Sequence, residues 1–343
     1  MEGVTRSQAI LHPLPAAALF LVLTVRQGGE DTARDVLADV PALRRAVGFR
    51  VPDDRLEVVV GVGSDAWGRL FSGPRPAGLH PFVPLDGGRH SAPSTPGDLL
   101  FHIRAATPGP CFELGRILAD KLRGAADVVD ETHGFRYFEQ RDLLGFVDGT
   151  ENPEDEDAAD AALVGDEDPG FAGGSYVIVQ KYLHDMSAWH ALSVGEQERV
   201  IGRTKMEDVE LDDDVKPANA HVALNDLPDA DDGRAREILR SNMPFGELGK
   251  GEFGTYFIGY AGHVEDTELM LENMFLGFPP GNYDRILDFS TAVTGTLFYC
   301  PTVDFLEDQP ASPSLTGDPA AIDPSPATPD GSLGIGDLGR STS

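Results

Sequence analysis

The chain has 343 residues, 41% of them hydrophobic, and a formal net charge of −30 from 27 basic and 57 acidic side chains. The apolar content supports a sizeable core, in two domains of ordinary size or one large one. The negative field repels phosphate backbones and anionic membrane surfaces, which excludes nucleic acid and lipid as partners.

Residues 9–25 are apolar enough to pass for a signal peptide. His12, Pro13 and Pro15 interrupt them, however, and no small-residue cleavage site follows cleanly, so a strand over 16–26 is expected. No apolar run reaches the roughly 18 residues of a membrane span, and a cytoplasmic location is the default. The pattern then predicts a helix over 30–47, a strand over 56–62 and a short helix over 66–71. A turn-rich stretch over 73–97 precedes a strand over 98–106, a helix over 110–124 and a strand over 126–138. Gly61-Val62-Gly63-Ser64-Asp65-Ala66 follows a strand and nearly matches a dinucleotide fingerprint. No acidic residue ends a second parallel strand at about 20 residues beyond, so nucleotide binding is not expected. Cys111 and Cys300, far apart and without a Cys-x-x-Cys pair, exclude a disulfide framework, a zinc ribbon and an iron–sulfur cluster.

Next comes Gly145-Phe146-Val147-Asp148-Gly149-Thr150-Glu151-Asn152-Pro153. Apolar neighbours deliver one carboxylate, Asp148, into a turn that fixes its direction. Residues 154–168 are acidic and read as a solvated loop. Strands are expected over 174–183, 254–261 and 294–299, with helical segments over 187–190, 194–203 and 265–275 and another starting at 284. Helices are too few for a doubly wound sheet, so an α+β layout with antiparallel sheets is expected. Residues 307–330 shift to Pro, Ala, Ser, Thr, Asp and Gly, the composition of a flexible linker.

The nonamer resembles the signature of the dye-decolourising peroxidases, whose distal acid is the aspartate of this motif. The resemblance covers roughly residues 10–306. It implies two ferredoxin-like halves, 1–140 and 141–306, arranged like a dimeric α+β barrel, with non-covalent haem b held mainly in the second half. It implies His221, in Ala220-His221-Val222, as the proximal iron ligand; neutral imidazole is the usual ligand where iron keeps its sixth position open. A buried acid normally orients such a ligand, and Asp284 is favoured over Asp288. Arg240 and Asn242, two apart in Arg240-Ser241-Asn242, share one face of an extended segment and are implied on the distal side with Asp148. Arg203 is expected at a haem propionate, and Phe257 and Phe275 against the ring.

The resemblance implies an enzyme that reduces hydrogen peroxide and oxidises dyes, phenols or similar small aromatic donors. Asp148 would move a proton between the peroxide oxygens while Arg240 stabilises the separating charge. The alternative is a haem carrier or iron-release protein on the same fold. Family members assemble as dimers or hexamers, so a homo-oligomer is expected. Residues 331–343 carry Gly-Ser-Leu-Gly-Ile-Gly-Asp-Leu, in which Leu333 and Ile335 project alike from an extended peptide and Leu338 lies beyond. This tail resembles the cargo-loading peptide of proteins packaged by encapsulin shells, which implies an encapsulin partner and a location inside such a nanocompartment.

Overall fold

The computed structural model describes residues 5–313. Its first half runs β1 (Ala17–Val25), α1 (Glu30–Gly48), β2 (Glu57–Gly63), α2 (Ser64–Leu70), the short pair β3 (Leu85–Asp86) and β4 (Ser91–Ala92), β5 (Leu99–Ala105), α3 (Pro108–Lys121) and β6 (Ala126–Phe135). The second half continues with α4 (Asp155–Ala162), β7 (Ser175–His184), α5 (Met186–Ala191), α6 (Val194–Ile201) and α7 (His221–Asn225). It ends with β8 (Leu239–Arg240), β9 (Met243–Glu247), β10 (Glu252–Ala261), α8 (Val264–Phe275), β11 (Ser290–Ala292), β12 (Thr296–Cys300) and α9 (Val303–Glu307).

Ten strands form one sheet in the order β6-β1-β5-β2-β12-β7-β10-β8, with β11 on β7 and β9 on β10. Its strand pairs are antiparallel, as the α+β expectation required. The halves fuse where Phe298 and Tyr299 of β12 pair with Gly63 and Val62 of β2. A Cβ at Gly61 would lie 2.8 Å from Phe298 Cβ, and one at Gly63 would lie 2.2 Å from the Gly97 carbonyl oxygen. Close packing of strands therefore accounts for the Gly-x-Gly pattern.

Side chains alternate between the two faces of each strand. Leu19, Leu21 and Leu23 of β1 pack with Val36 and Leu37 of α1 and Leu114 and Leu118 of α3. Phe20 and Val22 point the other way and meet Val177, Tyr256, Ile258 and Phe298, so side chains of both halves share one inner core. Each fully buried aliphatic or aromatic side chain of this kind contributes about 1.5–3 kcal/mol. At the sheet's ends, Gly134 of β6 sits against Met243 of β9, where a Cβ would clash at 2.5 Å.

Residues 17–25 form a buried strand between β5 and β6. Three expectations need correction. The acidic stretch 154–168 contains α4, whose first turn places Asp155, Glu156 and Asp157 at the positive end of the helix dipole while Ala158 and Ala162 are buried. The segment from 284 makes only a single 3-10 turn, Arg285–Asp288, before β11 pairs with β7. The chain beyond 307 remains attached at its start: Gln309 Nε2 donates to the Arg34 carbonyl, and the Ser72 N–H donates to the Ala311 carbonyl.

Candidate active site

Two adjoining cavities open in the second half, about 350 and about 140 Å³ in volume, and His221 lines both. Glu151, Asn225, Arg236, Arg240 and Met270 line the larger; Asp142, Phe146, Asp148, Tyr182, Asn242 and Met274 line the smaller. A separate cavity of about 450 Å³ between residues 7–12 and α1 holds none of the candidate residues.

His221 is the first residue of α7. Its Nδ1 lies 2.6 Å from Asp284 Oδ2. Asp284 is wholly buried, and its other oxygen caps the 3-10 turn by accepting the Ile286 N–H at 3.0 Å. Burial disfavours protonation of His221, but the Asp284 charge and hydrogen bond outweigh it, and the imidazole's proton affinity rises above its ordinary value. Asn225, four residues on, donates to the His221 carbonyl at 2.7 Å and fixes the short helix. The imidazole is thus held through Nδ1, and Nε2 has no hydrogen-bond partner among the described residues.

Asp148 reaches the cavity from the turn after Val147. Gly149 makes that turn with φ +89, a left-handed conformation that favours glycine. Asn242 Nδ2 donates to Asp148 Oδ1 at 3.1 Å. Burial raises the proton affinity of Asp148 above the ordinary carboxylate value, while Arg240 and Asn242 oppose the rise. Arg240 ends β8, where burial weakens its hold on its proton and the Asp148 charge strengthens it. A guanidinium stays charged even so. Asn152 clasps Arg240: its Oδ1 accepts the Arg240 N–H at 3.1 Å and Nε–H at 3.3 Å, and its Nδ2 donates to the Arg240 carbonyl at 2.8 Å. One end of the nonamer carries the acid, and the other holds the arginine.

The structure therefore brings Asp148, His221, Arg240, Asn242 and Asp284 together. Asp288 points elsewhere, 2.9 Å from Arg89 and 3.1 Å from His90. Arg203 does not reach the cavity lining, because Glu151 and Asp208 occupy its guanidinium. It braces the nonamer's loop, and Arg236 is the second arginine on the cavity wall, anchored through buried Asp266. Phe257 packs against Ile238 and Met270, and Phe275, the last residue of α8, belongs to the large core; neither is among the residues lining the two cavities. The apolar wall comes from Phe146, Ile201, Ile238, Met270, Met274 and Ile286. Leu333, Ile335 and Leu338 lie outside the described residues.

The site also draws in Asn152, from inside the nonamer, and Asn225, at helical spacing from His221, together with Arg236 and Asp142, which no local pattern marks. Haem fits these residues: an imidazole anchored by a buried carboxylate and unpartnered at Nε2 among the described residues lines both a smaller cavity walled by Phe146, Ile201, Met274 and Ile286 and a larger one that carries Ile238, Met270 and two arginines among its carboxylates.

Models of the Dyp-type peroxidase N-terminal and C-terminal domains match residues 7–136 and 139–305. The chain is 63% identical over 335 residues to the dye-decolorizing peroxidase of Mycolicibacterium paratuberculosis, a match covering 98% of this chain and 93% of that one. The encapsulated DyP-type peroxidase of Mycobacterium smegmatis is 62% identical with a TM-score of 0.88, covering 90% of this chain and 100% of that one. A DypB variant of Rhodococcus jostii RHA1 in complex with heme is 63% identical with a TM-score of 0.85, covering 88% and 97%. Matches of this length and identity leave one assignment, and the chain belongs to the Dyp-type peroxidase family.

Proposed function

We infer that the protein is a haem b peroxidase that reduces hydrogen peroxide at the expense of dyes, phenols or similar one-electron donors. One observation carries this reading beyond family membership: the Asp284–His221 bond and the Asp148–Asn242–Arg240 constellation converge on adjoining cavities that share His221. When bound, haem supplies redox-active iron with a position open to peroxide. His221 would hold it through Nε2, with Arg236 and Arg240 near its carboxylates.

Peroxide reduction consumes two electrons and two protons per two waters formed. Ionised Asp148 accepts a proton from one peroxide oxygen and returns it to the other, so it acts as base and then as acid. Asn242 fixes the direction of that transfer. Arg240, clasped by Asn152, faces the charge that develops as the oxygens separate and needs no reorganisation to do so. Glu151, Glu210, Asp226, Asp229 and Glu237 around the larger cavity favour neutral or cationic donors.

The protein is further proposed to be encapsulin cargo, a homo-oligomer enclosed in a cytoplasmic shell. The tail sequence and the encapsulated relative support this. The deciding experiment is an absorption spectrum of the haem-loaded protein before and after one equivalent of hydrogen peroxide, followed by a dye. Rapid spectral change and its reversal by the dye are expected. Haem release without turnover would overturn the peroxidase reading in favour of a carrier.

A further inference from the structure

The inner core contains a group of polar and aromatic side chains that the peroxide chemistry does not use. Tyr260 and His102 are both wholly buried, and the Tyr260 hydroxyl lies 2.8 Å from His102 Nδ1. Phe20 stacks on His102 with centroids 4.7 Å apart, and on Tyr256 at 4.0 Å. Among the described residues His102 Nε2 has no partner, and neither does one terminal nitrogen of buried Arg104. Burial, reinforced by the Arg104 charge, holds the imidazole well below its ordinary proton affinity, so it is neutral. A neutral imidazole has one acceptor nitrogen. With the hydroxyl donating to Nδ1, Tyr260 has a basic atom placed to receive its proton.

Three other buried tyrosines differ. Tyr182 donates to the Gln180 amide oxygen and Tyr299 to the Phe171 carbonyl, neither of which is a base. Tyr256 faces Asp130, whose carboxylate is already engaged by Lys181 and Thr132. Tyr260 also lies close to the candidate site along the sheet: it pairs with Leu239, and its neighbour Gly259 pairs with Arg240.

We propose that Tyr260 and His102 form a redox-active pair that takes an oxidising equivalent from the peroxide-oxidised site into the dry inner core. The proposal rests on the peroxidase reading, which supplies the oxidant. Tyr260 loses one electron to the oxidised cofactor, which is reduced by one electron. The Tyr260 O–H bond breaks, an N–H bond forms at His102 Nδ1, and a neutral tyrosyl radical remains. Arg104 repels the imidazolium so formed, which drives the proton back once an electron returns and keeps the couple strongly oxidising. Burial excludes solvent and donors from the radical, so the pair stores the equivalent when no reductant is bound.

The test is electron paramagnetic resonance of the haem-loaded full chain, freeze-quenched after one equivalent of peroxide without a donor. Wild type is expected to show a tyrosyl signal that narrows when the tyrosine rings are deuterated, that is lost in Tyr260→Phe and that persists in Tyr256→Phe. An oxidised absorption spectrum with the same radical signal in Tyr260→Phe overturns the pair and leaves the peroxidase reading intact. No radical in oxidised wild type also overturns it. No absorption change on adding peroxide overturns the peroxidase reading, and the pair with it.

Discussion

Asn242, in the short link between β8 and β9, holds the Asp148 carboxylate: its Nδ2 donates to Asp148 Oδ1 at 3.1 Å while its own Oδ1 accepts the Ile258 N–H at the same distance. An amide pinned at its acceptor end cannot flip, so it presents a fixed donor to the ionised acid. A hydrogen bond to a charged group is worth about 1.5–3 kcal/mol, roughly one to two pK units. Burial already raises the proton affinity of Asp148, and Asn242 opposes that rise. Activity that needs ionised Asp148 grows as pH rises through its pKa. Asn242→Ala should therefore move the acidic limb of the kcat/KM profile to higher pH by about a unit or more. A pH profile with peroxide as the varied substrate checks this, and an unmoved limb removes Asn242 from the role.

The Arg240 charge acts on Asp148, and Asn152 clasps Arg240 in place. Arg240→Leu should slow the first step of peroxide reduction about 10²-fold, the usual cost of losing one preorganised charge-stabilising donor. Asn152→Ala should give a smaller loss in the same step, because the guanidinium remains but is less well placed. Stopped-flow absorbance against peroxide concentration separates this step from donor oxidation. An unchanged rate in Arg240→Leu would remove it from the mechanism.

Much of this arrangement was legible in the sequence because it rests on local rules. The continuous apolar run of β1, the helices of the first half and the turn around Asp148 follow from local pattern and turn chemistry. The clasp between Asn152 and Arg240 joins positions 88 apart, and no local pattern reports such a contact. Arg203 illustrates the reverse error. Its residue type suited an anionic group, but Asp208, five residues on, satisfies it first. Phe257 packs against Ile238 and Met270, which line the larger cavity, and such a contact between distant segments is invisible in composition.

Asp284 should stabilise the haem-free protein in a pH-dependent way. His221 has its proton affinity raised above its ordinary value in the folded state by this carboxylate, against the effect of burial. The stabilisation is full below the ordinary histidine value of about 6.5 and is lost as pH rises through the raised folded value. The difference in thermal midpoint between wild type and Asp284→Asn should therefore shrink as pH rises above about 6.5. Differential scanning calorimetry of the apoproteins measures it, and a pH-independent difference contradicts the coupling.

Asp142 should act in the opposite sense to an ordinary surface acid. Burial pushes its carboxyl up to about 7; the Phe146 N–H opposes the shift and the Asp148 charge adds to it. The folded state then binds a proton that the unfolded state has released, so this group lowers stability as pH rises from the ordinary value of 3.8 towards 7. Asp142→Asn keeps an oxygen for the Phe146 N–H, whose bond to Asp142 Oδ1 is 3.0 Å, and removes the titration. The variant's midpoint relative to wild type should climb across that range and level off above it. A flat difference shows that Asp142 titrates normally.

The tail can be separated from the chemistry because every group assigned to catalysis lies between Asp142 and Asp284. Deleting residues 331–343 should leave peroxide turnover and the thermal midpoint of the free enzyme unchanged while abolishing co-purification with a co-expressed shell. Each apolar anchor that docks contributes about 1.5–3 kcal/mol, so one tail with three of them binds only modestly. Several tails on one oligomer raise the effective concentration at the shell wall and make capture efficient. Leu333→Ala alone should therefore reduce loading only partly, whereas Leu333→Ala with Ile335→Ala should abolish it, because small losses per tail multiply across the oligomer. Loading is read by quantifying haem absorbance against shell protein in purified compartments. Full loading of the double variant would mean that the shell recognises the folded body instead.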